Sequence, residues 1–178
     1  MTRALPADSP ESSMLLELRR RGCFTDCYAL EVPAPVTQAQ FVEAFYTTPL
    51  FKAERFILKM LAARPSTDQD AKDLAAGTKD TFAVWKVTHR SPEQLLLKAQ
   101  IGRTSSWLMA APEPSSNGQK TTLFFGSAIA GGRANQETGR QQFSLAFSAV
   151  LGLHDLYSRL LLQAAAKKLV APRARQHG

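Results

Sequence analysis

The residues best suited to chemistry in this 178-residue chain are one His-Asp step, two cysteines and a few serines and arginines. His154 precedes Asp155 at the head of an apolar-periodic stretch. A helix N-terminus there would favour a neutral imidazole, which suits an acid–base or ligand-orienting group. The same position also suits a histidine that pins a helix to the preceding strand. Ser127 is the polar residue expected to share proton transfer with His154 if the chain is an enzyme. Gly126-Ser127-Ala128 does not form a G-x-S-x-G nucleophile elbow, and Gly131-Gly132 lacks the dinucleotide pattern. Cys23 and Cys27 are spaced like half of a metal site. His89, His154 and His177 are too scattered to complete four ligands, so no metal, no cofactor and two reduced thiols are expected. Lys86, Lys98, Arg103 and Arg140 read as solvated, although Arg103 and Arg140 flank sheet turns where an anionic ligand would meet them.

Composition narrows the classes. Apolar residues make 44% of the chain and charged residues 21%, as in ordinary globular domains. No apolar run approaches the roughly 18 residues that cross a bilayer, and MTRALPADSPESS has no apolar centre. A cytoplasmic protein without stable membrane insertion is the expectation. The net charge of +7 suggests nucleic acid until its placement is read. Eight basic residues against three acidic ones stand before residue 22 or after 166, leaving 14 basic and 12 acidic between. Charge on the flanks points to solvated tails, so no nucleic-acid partner is expected.

The elements that position these residues follow from periodicity. Residues 1–22 read as a flexible lead-in with a short helix, Ser13-capped, whose stripe is Met14, Leu15 and Leu18. Tyr28–Val32 alternates as a strand, stopped by Pro33 and Pro35. Two short helices follow, one after Thr37 and one over about 50–62, then a loop over 64–79 with room for one helical turn. Strands are expected at Thr81–His89, Glu93–Ile101, Thr104–Ala111 and Lys120–Ile129, with Ala99 and Ile101 on the apolar face of the second. Gln141–Val150 alternates Phe143, Leu145, Phe147 and Ala149 with smaller or polar residues, and reads as a further strand. A helix over about 152–169 closes the chain, with Lys167 and Lys168 in its last turn. The domain therefore covers 23–170, followed by a basic tail, 171–178. The class is α+β: an antiparallel sheet of about six strands whose apolar face the last helix covers.

Asn135, Gly139-Arg140, Phe143 and the run Leu153-His154-Asp155-Leu156-Tyr157-Ser158-Arg159-Leu160-Leu161 resemble the end of an uncharacterised bacterial branch of the START-like superfamily. Leu151-Gly152-Leu153 stands where that branch has a Pro-Phe step. The resemblance implies the helix-grip fold, a curved sheet wrapped around a long C-terminal helix with a hydrophobic pocket between them. Lipid carriers, cyclases and other proteins share that fold, which leaves function open. Trp85, Leu97, Trp107, Met109, Phe125, Phe143, Phe147, His154 and Tyr157 are the pocket candidates, with Phe124 the alternative to Phe125. Three functions are weighed: a binding protein for a small apolar or amphipathic molecule, a cyclase- or hydratase-like enzyme using His154, and an interaction module using the N-terminal stripe Met14–Leu18. A homodimer stays open.

Overall fold

The computed structural model describes residues 3–53, 66–130 and 145–171, the side chains of 145–153 excepted. It is an α+β fold built on a seven-stranded, wholly antiparallel sheet in the order β1-β2-β7-β6-β5-β4-β3. The strands are β1 (Leu5–Pro6), β2 (Phe24–Val32), β3 (Thr81–Phe82), β4 (Trp85–Arg90), β5 (Gln94–Ala99), β6 (Thr104–Pro112) and β7 (Thr121–Ile129). The helices are α1 (Met14–Arg20), α2 (Gln38–Tyr46), α3 (Asp68–Ala76) and α4 (Leu145–Val170).

Alternation along β2, β5, β6 and β7 sorts their side chains onto two faces, and each face has its own cover. Tyr28, Leu30, Val32, Leu95, Leu97, Leu108, Leu123 and Phe125 form the main core with α2, α3 and the C-terminal half of α4. Helix α2 contributes an aromatic wedge: Phe45 lies 4.7 Å from Phe125 and 5.2 Å from Tyr46, centroid to centroid. Gln38 fixes that helix by donating to Leu108 O at 3.0 Å and accepting from Ala110 N at 2.8 Å. On the opposite face, Trp107, Met109 and Ala128 pack under Leu15 of α1.

Five expectations are corrected. Residues 68–76 form a nine-residue helix, more than the single turn expected within a loop, because Thr67 and Asp70 form a capping box and Gly77 closes the helix at φ 79°. Polar composition masked those caps. Thr81–His89 is two strands, since Phe82 pairs with Trp85 around a two-residue turn with Ala83 at φ 51°. Ile101 lies beyond the end of β5 and is 79% exposed. The described part of the stretch before residue 22 is tied to the sheet: Ala4 and Leu15 are fully buried, and Leu5 and Pro6 pair with β2.

The last correction concerns the strand expected over 141–150. Residues 145–150 belong to α4, one helix of 26 residues, while 141–144 lie outside the described residues. Large and small apolar residues that alternate also satisfy helical spacing. Gly152 is the only glycine in 145–170 and no proline occurs there, so the helix propagates through it at a cost of about 1 kcal/mol. The second short helix is described only over 49–53, its remainder lying outside the described residues.

Candidate functional site

Two places in the fold bring together groups that lie far apart in the sequence. The first sits where α4 crosses the ends of β2 and β7. Asp26 and Ser127 are cross-strand partners, so their side chains share one face. Asp26 Oδ1 accepts from both the backbone N–H and the hydroxyl of Ser127, each at 2.8 Å. From α4, His154 brings Nε2 to 3.0 Å from Ser127 Oγ and 3.1 Å from Asp26 Oδ2. With the Ser127 proton given to Asp26, a hydrogen on Nε2 finds acceptors in both neighbours.

That arrangement is not a hydrolytic triad. In a triad the carboxylate holds Nδ1 and leaves Nε2 to take the serine proton, whereas here both groups meet the same nitrogen. Ser127 is only 5% exposed, which also removes it as a nucleophile. Beside this cluster, Asp155 makes a two-nitrogen contact with Arg159 at 2.8 and 3.1 Å. Arg159 lies 5.8 Å from the centre of the Tyr28 ring. Burial, then a hydrogen bond to Asp155, pushes the Tyr28 phenol above its usual range. Together these contacts pin α4 to β2 by two polar links one helical step apart.

The second place is a cleft of about 770 Å³ along the free edge of β2. It exists because β1 pairs only with Tyr28 and Ala29, which leaves the edge open from Leu30 onward. Leu30, Val32 and Pro33 form one wall, and Ala166, Val170 and Ala171 of the α4 end form the other. Arg3, Glu31, Gln163 and Lys167 complete its lining with polar groups. The volume falls in the range of small-molecule sites, and an apolar lining with a few polar groups is their usual make-up.

The expected pocket residues do not gather in one cavity. Leu97 and Phe125 share the main face, but the α2 aromatics fill the space against Phe125, making both core residues. Trp107 and Met109 are corrected to the other face, where Phe124 packs beside them under α1. Register explains this: Trp107 opposes Gly126 and Met109 opposes Phe124, one residue out of phase with Phe125. Trp85 and Tyr157 are partly buried against the main core. Among the described residues His154 and Ser127, expected to act together, do join one polar cluster. The side chains of Phe143 and Phe147, and Arg140, lie outside what is described, while Arg103 is exposed.

Sequence reasoning missed Asp26, although Asp26, Tyr28, Leu30 and Val32 alternate and a carboxylate at an inward position was a signal. The cleft had no such signal, since it depends on where β1 ends. Among the described residues no group of three or more metal-binding side chains clusters, and Cys23 and Cys27 are free thiols. No helix among the described residues is long and apolar enough to cross a membrane.

No protein-family model matches the chain, and no curated protein matches it. Among solved structures it is similar to the conserved protein of unknown function EF2215 from Enterococcus faecalis. The TM-score is 0.41 at 10% identity, covering 85% of this chain and 75% of that one. Likeness at that level carries no argument about function.

Proposed function

We propose that this chain is a helix-grip, START-like binding protein that holds a small amphipathic molecule between its sheet and its C-terminal helix. The strand order supports the fold reading: β7 to β3 follow one another in the sheet, β2 returns beside β7, and a long helix ends the chain. The cleft between β2 and the end of α4 carries the function reading, because it is apolar, of ligand size and open to solvent. Its position differs from the expected lining set, whose members are mostly core.

Native mass spectrometry of the protein purified from its own host tests the reading. A co-purifying small molecule is expected, and Gln163→Trp, which fills the cleft from its lining, is expected to lose it. Retention by the Gln163→Trp protein would place the occupant elsewhere and remove the support.

A second reading, a cyclase- or hydratase-like enzyme, is favoured by one observation, the contact of His154 Nε2 with both Ser127 and Asp26. Under the binding reading His154→Ala keeps ligand affinity. Under the enzymatic reading it keeps affinity and loses turnover by about a hundredfold or more, the usual weight of a general acid–base.

A further inference from the structure

We infer that the β2–α4 cleft selects a single-chain amphiphile with an anionic head, of which a medium-chain carboxylate is the simplest form. This inference rests on the binding reading above and adds the sign of the ligand's charge. Three ionisable side chains line the cleft, namely Arg3, Glu31 and Lys167. Glu31 is already held by Lys120 at 3.0 Å. Among the described residues no carboxylate lies within ion-pair distance of Arg3 or Lys167. Two cations therefore line an apolar cleft with no carboxylate partner among the described residues.

One feature of the fold opposes an anion there. The cleft borders the C-terminal end of α4, where the helix dipole places roughly half a negative charge. Two full positive charges outweigh it, and Lys168 adds a third in the same turn while bonding Thr47. The apolar wall fits the other end of the ligand: Val170 is 42% exposed although its neighbour Ala166 is buried, so burying a chain against them gains hydrophobic contact. A cationic head is repelled by Arg3 and Lys167, and a neutral hydroxyl accepts only weaker hydrogen bonds from them than a carboxylate does. A carboxylate gains the planar fork of Arg3 as well as the charge of Lys167.

The test compares decanoate, decanol and decyltrimethylammonium, which share one chain length, by isothermal titration below their micelle concentrations. Decanoate is expected to bind about fivefold to thirtyfold more tightly than decanol, the sum of two partly solvated ion pairs. That preference is expected to shrink as salt is raised from 10 to about 150 mM. It should fall to near unity in the Arg3→Gln/Lys167→Gln protein and persist in Lys168→Gln, which removes one charge of the same helical turn outside the cleft. Circular dichroism confirms that each variant is folded. Equal binding of decanol and decanoate, both abolished by Gln163→Trp, overturns the charge inference and keeps the amphiphile reading. A preference that survives the double variant also overturns it. Failure of all three probes to bind folded wild-type protein overturns the amphiphile reading itself.

Discussion

Trp107 donates its indole N–H to Gln94 Oε1 at 2.9 Å, across the β5–β6 ladder on the face away from the main core. The same oxygen accepts the first backbone N–H of α1, from Met14, at 2.9 Å. The Gln94 amide nitrogen donates in turn to Ser12 O at 3.0 Å. One side chain thus satisfies a buried indole and fastens the N-terminal helix to the sheet.

Replacing Gln94 with Leu leaves the Trp107 N–H buried without an acceptor and frees the start of α1. A loss of about 2–3 kcal/mol is expected, near the upper end for an orphaned buried donor. Urea unfolding followed by tryptophan fluorescence measures it. A melting temperature unchanged within a degree would contradict the role given to Gln94.

Gly126 is the notch into which α1 fits. A Cβ there would lie 2.5 Å from Leu15 Cδ2 and 2.6 Å from the carbonyl oxygen of Asp26. Gly126→Ala is expected to destabilise by about 1–3 kcal/mol through overpacking. Adding Leu15→Ala relieves one clash only, since the Asp26 carbonyl cannot move aside like a side chain. The double variant should therefore recover part of the loss and no more, as a double-mutant cycle would reveal.

Asp70 sets an acid-side dependence. Its carboxyl is lowered from 3.8 to about 2, first by the hydrogen bond from Lys79 and then by those from Thr67. The folded value lies below the unfolded one, so its contribution is present above pH 4 and fades as pH falls through about 2. The group is solvated enough that the contribution should be about 1 kcal/mol. Asp70→Asn is expected to flatten the stability profile between pH 4 and 2 relative to wild type. Identical slopes in both proteins would exclude it.

Cys27 should resist alkylation in the native state. Burial, then the charges of Asp26 and Asp8, push its thiol up to about 12, so thiolate is scarce at pH 8. Iodoacetamide is expected to label it at least about a hundredfold more slowly than in the urea-unfolded chain, read by peptide mass spectrometry.

Local signals were legible where one element satisfied itself. Ser13 and Thr37 cap the helices that their positions announced, and β5, β6 and β7 lie close to their expected bounds. Legibility failed where two periodicities overlapped. Leu145, Ala149 and Leu153 share a helical face while Leu145, Phe147 and Ala149 alternate, and nothing local separates the two readings. It failed again at 68–76, where Ala71 and Leu74 are the only buried side chains and caps fix the helix instead of an apolar stripe.

His154 illustrates the division for the site. Its type and place on a helix came from the sequence, whereas its partners Asp26 and Ser127 lie 128 and 27 residues away and met only through the β2–β7 register. The sequence alone determined the class, an antiparallel sheet with a terminal helix, because alternation and capping are properties of adjacent residues. Tertiary structure decided which face Trp107 and Met109 occupy, where β1 stops, and hence that a cleft opens beside Arg3 and Lys167. Register and edge pairing join residues far apart in the chain, and each is settled by what the whole sheet can bury.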